Sequence, residues 1–219
     1  MGEAELIPGK ELLIIHALLV FYGDAASDVL AGQVAKDISA HWNEPQAKLR
    51  IRHTIFQVRF DIKGRWEKQL SPLEVISNTQ PRHNYFRIEE YAEGNISFVD
   101  GINSNTGYFK LDNLLNNSTT AAHEFGHSLG LEHPPELDIR GKGMPGIMYP
   151  RGTWVDPAFQ YNVQAMAGEA GGTMDPSSRK VLQQDIDNLH LDKLTFNEQG
   201  FAVLGDFTSV WHDKHIPGS

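Results

Sequence analysis

The run Ala122-His123-Glu124-Phe125-Gly126-His127-Ser128-Leu129-Gly130-Leu131-Glu132-His133 carries the residues best suited to do chemistry. His123 and His127 stand four positions apart. On an α-helix that spacing sends both imidazoles from one face, one turn apart, where two neutral rings can reach one metal ion. Glu124 is one step further round and cannot share their direction. It can flank the open side of the metal and take a proton from an activated water. Gly130 can end the helix, because glycine tolerates the left-handed conformation that turns a chain away at a helix C-terminus. After that turn His133 can return as a third ligand. Three protein ligands leave a fourth position for water, the arrangement of catalytic rather than structural zinc.

This pattern resembles the signature of the metzincin zinc endopeptidases, H-E-x-x-H-x-x-G-x-x-H followed by a methionine turn. His123, Glu124, His127, Gly130 and His133 meet every fixed position, and Gly146-Ile147-Met148-Tyr149-Pro150 is similar to the methionine turn. The resemblance implies a zinc-dependent endopeptidase. His123, His127 and His133 would hold Zn2+, and Glu124 would act as general base and pass the proton to the leaving amine. Met148 would be an apolar floor under the metal, a role that suits a flexible thioether. Tyr149 directly follows the methionine, as in matrixins. In astacins and serralysins a tyrosine that approaches the metal stands two places after it, where this chain has Pro150. The chain is thus most similar to a matrix metalloproteinase-type catalytic domain of the bacterial type, without a cysteine switch, since it has no cysteine.

The same resemblance assigns the substrate cleft. The short fourth strand of such domains is the sheet edge on which a protein or peptide substrate lies as an added strand. That role falls here on Asn95, Ile96, Ser97, Phe98 and Val99. Pro150, Arg151, Gly152 and Thr153 would wall the pocket for the residue after the scissile bond, and the loop 154–173 would shape it. The physics of an edge is independent of the resemblance, because unpaired main-chain groups offer donors and acceptors to any extended peptide.

The elements that position this site can be read from patterning. Leu12 to Tyr22 is an apolar run interrupted only by His16, which predicts a strand buried on both faces. Asp24 or Ser27 can cap a helix whose Leu30, Val34, Ile38 and Trp42 recur every four residues, ended by Asn43-Glu44-Pro45. Residues 48–60 alternate as one half-exposed strand with a break of phase. Strand, helix, strand predicts a parallel pair with a right-handed crossover. Residues 63–84 read as irregular except for a short helix capped by Ser71, with Pro72 in its first turn. Strands over 85–89, 94–99 and 106–111 complete five. Asn117 or Ser118 would cap the site helix. Asp175-Pro176 would open a closing helix with a buried stripe of Val181, Leu182, Ile186 and Leu189. Residues 196–211 read as an extra hairpin, a departure from the matrixin pattern.

The expected fold class is therefore α+β: a twisted five-stranded mixed sheet with two helices in an N-terminal lobe (1–133), and a small C-terminal lobe (134–219). Together they form one catalytic domain of 219 residues. A net charge of −9 without a Lys/Arg cluster argues against a nucleic-acid surface. The longest apolar run is too short for a membrane span, which needs about 20 residues. It is also poorly flanked for a signal peptide, with Glu3, Glu5 and Glu11 around Lys10. A monomer is expected. Family analogy implies a secreted or cell-surface location, without a readable signal peptide in this chain. Asp100-Gly101-Ile102-Asn103-Ser104-Asn105-Thr106-Gly107 spaces oxygen ligands closely enough for calcium. A plain turn is the stronger reading, because Ile102 stands at the third position of such a loop, where an oxygen ligand belongs. A second structural zinc finds only His83 in its region. The competing functional reading is a zinc-binding module on the same scaffold with a blocked cleft, for instance with a tail histidine, His212 or His215, over the metal.

Overall fold

The computed structural model describes residues 1–116 and 118–217. Its strands are Gly2–Ile7 (β1), Leu12–Tyr22 (β2), Lys48–Ile51 (β3), Thr54–Trp66 (β4), His83–Glu89 (β5), Phe98–Val99 (β6), Thr106–Lys110 (β7) and Phe201–Leu204 (β8). Its α-helices are Asp28–Asn43 (α1), Pro72–Ile76 (α2), Thr120–Ser128 (α3) and Gln183–Asn188 (α4). This is an α+β fold with one mixed sheet, in the order β3-β4-β2-β5-β7-β6, with β1 beside β2 and β8 beside β1.

The spine is β2. One of its edges pairs in parallel with β4 along 10 positions from Leu12 to Phe21. The other edge is shared end to end: Leu12 to His16 pair antiparallel with β1, and Leu18 to Tyr22 pair parallel with β5. The row then continues through β7, parallel to β5, to the two-residue β6, antiparallel to β7 and last at that edge.

The helix α1 lies against this sheet and carries the site helix on its far end. Ser27 caps α1, its hydroxyl accepting from the Leu30 amide at 3.2 Å. Ala31, Val34, Ala35, Ile38 and Trp42 form its buried stripe. Gly64 on β4 admits the close approach, because a side chain there would overlap the Ala31 carbonyl. Trp42 donates from Nε1 to the Ala122 carbonyl at 3.1 Å and meets the Phe125 ring edge-on at 5.9 Å. Sheet, α1 and α3 are thus linked through one buried indole.

Several expectations change. β2 alternates over its first half and is buried on both faces only from Leu19 to Tyr22. The break of phase in 48–60 is a hairpin: Arg52 takes a left-handed φ of 54°, Ile51 pairs with Thr54, and β4 runs on to Trp66. The expected strand 94–99 shrinks to Phe98–Val99. Gly94 and Asn95 have φ of 67° and 57° within a 3-10 turn, which no strand accommodates. Thus Asn95, Ile96 and Ser97 are not strand residues. Asn117 lies outside the described residues; the Ser118 hydroxyl accepts from the Thr120 amide at 3.1 Å as the site helix begins.

The closing helix is much shorter than expected. Asp175 caps only a 3-10 turn, Pro176–Ser178, and α4 holds 6 residues. Between them the chain stays extended, because the Lys180 amide bonds the Pro145 carbonyl at 3.0 Å and the Arg179 side chain turns inward. Val181, Ile186 and Leu189 are buried all the same. The hairpin at 196–211 is a correction too: only β8 forms, and it pairs with β1 rather than with a strand of its own. Among the described residues the sheet therefore has eight strands, not five, because β1, β8 and the β3 half of the hairpin all add to it. The helix at Ser71 is present, with a full capping box to Glu74.

Candidate metal centre and its cleft

His123 and His127 project from α3, and His133 returns to them after the helix ends. Nε2 of His133 lies 3.0 Å from Nε2 of His123 and 3.1 Å from Nε2 of His127. Among the described residues this is the one group of three or more His, Cys, Asp or Glu side chains close enough to hold a metal ion. A larger hollow of about 710 Å³, lined by His16 and Asp61, contains no such group.

Glycine makes the return possible. Gly130 has a φ of 107°, and its amide bonds the His127 carbonyl at 3.0 Å while the Leu131 amide bonds Gly126 at 3.0 Å. These bonds close the helix in the manner of a left-handed C-terminal cap. The Asn103 side-chain oxygen fills the space a Gly130 side chain would need, and the Asn103 amide donates to the His127 carbonyl at 2.8 Å.

Backbone carbonyls fix the rings. Nδ1 of His127 donates to Leu131 at 2.6 Å, and Nδ1 of His123 donates to Ile147 at 2.7 Å. Both contacts require the proton on Nδ1, so both Nε2 atoms are left as bare lone pairs pointing at His133. The Arg179 guanidinium also approaches Nδ1 of His123, at 3.0 Å. Since neither nitrogen can accept there, this is a close approach of two donors and not a hydrogen bond. Burial, reinforced by Arg179, holds the His123 imidazole well below its ordinary pKa, and burial lowers His127 and His133 as well. The cluster is kept neutral, the protonation state that ligates metals.

Met148 is buried beneath the helix. A methyl group on Gly126, between the two helical histidines, would overlap the Met148 sulfur. The turn that carries Met148 is closed by the Tyr149 amide on the Gly146 carbonyl at 3.3 Å and tied to Lys180 by a β-bridge at Gly146. Asp185, pushed up to about 6 by burial, accepts from the Leu182 amide at 2.7 Å and from the Ile147 amide.

Two cavities meet at the cluster. One, of about 180 Å³, is lined by Asn95, Ile96, Ser97, Pro150 and Arg151 together with His123, Glu124, His133 and Arg179. The other, of about 340 Å³, is lined by Phe98, Val99 and Ile102 with the same histidines, His127 included, and Glu124. Glu124 therefore faces both. The residue is 7% exposed, and its carboxyl is pushed up to about 8 by burial, against the opposing pull of Arg179 and the Val99 amide. A carboxyl of that kind can exchange a proton near neutral pH.

The structure thus brings together His123, Glu124, His127, His133 and Met148. It divides the expected cleft residues between the two cavities: Asn95, Ile96, Ser97, Pro150 and Arg151 in one, Phe98 and Val99 in the other, with Ser97 in both. Gly152 lines neither. The loop 100–107 is a structural node. Its one carboxylate, Asp100, accepts from the Thr106 hydroxyl at 2.5 Å and from His212 at 2.9 Å. His215 stacks on Tyr108 at 4.0 Å, so neither tail histidine joins the cluster.

Sequence reading missed Arg179. Its Nε donates to the Thr119 hydroxyl at 2.9 Å and its Nη1 to the Tyr149 carbonyl at 3.1 Å, and burial lowers its pKa to about 10. Nothing in the local pattern Ser177-Ser178-Arg179-Lys180 marks one of two adjacent cations as buried. Gly126 was missed as a contact to Met148, though a glycine inside a helix is itself a packing signal. No known protein-family model matches the chain, and no curated protein matches it.

Proposed function

We propose that the protein is a zinc-dependent endopeptidase of the metzincin type, matrixin-like, hydrolysing peptide bonds in protein or peptide substrates. The observation that carries this reading is the convergence of three imidazole nitrogens beside Glu124, with Met148 packed under the helix that supplies two of them. The donor set fits zinc. Zinc–imidazole bonds of about 2.0–2.1 Å at tetrahedral angles put ligand nitrogens about 3.3 Å apart. The separations of 3.0 and 3.1 Å between Nε2 atoms are close to that. Lone pairs held face to face by their Nδ1 partners also favour a cation between them.

When bound, zinc supplies Lewis-acid polarisation of the scissile carbonyl and makes a water acidic enough to react near neutral pH. The chain supplies the rest. His123, His127 and His133 would hold the ion, the first two in tautomers fixed by the Ile147 and Leu131 carbonyls. Glu124 takes the proton of the attacking water and returns it to the departing amine, from a position open to both cavities. β6, the last strand at its edge of the sheet, lies beside Glu124, which holds the Val99 amide; an extended peptide added along that edge would take this amide over from the carboxyl. The competing reading, a zinc-binding module with a blocked cleft, gains nothing from the tail, whose histidines are engaged by Asp100 and Tyr108.

The test is a digest of a proteome-derived peptide library by the zinc-loaded protein. Internal cleavages are expected, lost with a chelator and restored by added zinc. A protein that holds stoichiometric zinc yet cuts nothing would return the reading to a binding module. One that takes up no metal would end both.

A further inference from the structure

We propose that the cavity between Arg179 and Arg151 is a carboxylate pocket, and that the protein cuts next to acidic residues of its substrate. This rests on the endopeptidase reading and names the substrate class for that same site.

Arg179 is 4% exposed, yet among the described residues it forms no ion pair with any carboxylate. Its bonded partners, the Thr119 hydroxyl and the Tyr149 carbonyl, are neutral, and they take only Nε and Nη1. Nη2 has no protein acceptor, and it is not among the sealed, unsatisfied atoms of the molecule. It therefore opens on the cavity that Arg179 lines. Glu124 acts on Arg179 across the cavity without forming an ion pair, so the buried guanidinium keeps donors that an anionic ligand can complete. A guanidinium is the side chain whose planar fork of donors best matches a carboxylate.

The surroundings agree. Arg151, Asn95, Ser97, Asn113 and Thr120 add a second cation and neutral polar groups, and large apolar surface is confined to Ile96 and Pro150. Among the described residues, the one acid that lines the cavity is Glu124. Two guanidinium groups against one carboxyl leave the pocket net positive. About 180 Å³ has room for an aspartate or glutamate side chain. The pocket also adjoins His123 and His133, so the residue it holds flanks the scissile bond. The anion can come from an acidic side chain or from the carboxylate that ends a peptide chain; the chemistry is shared.

Three measurements separate the outcomes. In the library digest, the expected profile is enriched in Asp or Glu at one position flanking the cut. For the best such peptide, replacing that acid by its amide lowers kcat/KM at least tenfold, and Arg179→Met or the exposed Arg151→Gln shrinks this ratio. If amidating the peptide's C-terminus, rather than swapping the side chain, causes the loss, the pocket stands and its anion is a chain end. Equal cleavage of acid and amide peptides overturns the proposal and leaves the endopeptidase reading intact. The third measurement needs no turnover: NMR titration of zinc-loaded wild type with N-acetyl-glutamate N-methylamide, its glutamine counterpart, and N-acetyl-alanine bearing a free carboxylate. At least tenfold tighter binding of an anionic probe that is lost in Arg179→Met supports the pocket even if no peptide is cut, whereas a preference that persists unchanged in Arg179→Met belongs to the metal and overturns it. Equal binding of all three overturns it.

Discussion

Nδ1 of His123 donates to the carbonyl of Ile147 at 2.7 Å, across 24 positions of sequence. The orientation of one metal-facing ring is therefore set by the turn that carries Met148, and that turn is held in place by Lys180 and Asp185. The far C-terminal segment acts on the site without touching its metal-facing atoms.

One consequence concerns the contact between that turn and the helix. Gly126→Ala places a methyl on the Met148 sulfur. The overlap should cost about 1–3 kcal/mol of stability, as overpacking does. Because it also pushes the turn from His123, metal affinity should fall about tenfold or more. Urea unfolding and a competitive zinc titration measure the two effects. Met148→Leu, which conserves volume, should cost less than about 1.5 kcal/mol.

Metal removal gives a second check. A ligand that binds only the folded state stabilises it by about 2.7 kcal/mol at one hundred times its Kd. Zinc at that excess should raise the Tm of wild type clearly above that of the chelated protein. His127→Ala should show no such difference. A Tm indifferent to metal in wild type would count against the site.

The pH dependence of the metal-free fold follows from the buried rings. His123, His127 and His133 all lie below the ordinary 6.5 in the folded chain. The unfolded chain therefore binds more protons just below pH 6.5. The stability these histidines contribute is present above that pH and is lost as pH falls through it. Glu124 and Asp185, raised to about 8 and about 6, act in the opposite sense, since folding favours their protonated forms. The histidine contribution is isolated by difference: with chelator present, the urea midpoint of His127→Gln should fall less between pH 6.5 and 5 than that of wild type. Equal slopes would contradict it.

The tail gives a fourth prediction. Trp211 stacks on Tyr22 at 4.7 Å, and the neighbouring His212 is held by Asp100. Trp211→Ala should lower stability by about 1–2 kcal/mol, from lost stacking and a half-buried ring. Equilibrium urea unfolding checks it, and metal affinity should be unchanged, because this contact is remote from the histidines.

The clustering of His123, His127 and His133 was legible because helical spacing, one glycine and one return histidine suffice to bring them together. The strand–helix–strand opening was legible for a similar reason: β2 and α1 carry strong local periodicity. What stayed hidden depends on partners distant in sequence. Arg52 at a left-handed φ and the slip between β3 and β4 look like a phase error until Ile51 is seen opposite Thr54. Gly94 and Asn95 leave the strand for a turn at positive φ, which both residue types favour, a local signal outweighed in the sequence pattern by the apolar residues that follow. β8 has four residues and acquires its role only by pairing with β1. Arg179 is invisible because its burial is decided by Thr119 and Tyr149, on two other segments.

The central claim is that Glu124 moves the proton in a reaction for which the three histidines hold zinc. The most direct measurement compares Glu124→Ala with wild type for zinc content and for the rate on one cleaved peptide. The account predicts one zinc per chain in both proteins and a loss of about 10²–10⁴ in kcat for the variant. Undiminished cleavage by Glu124→Ala with its zinc in place would contradict it.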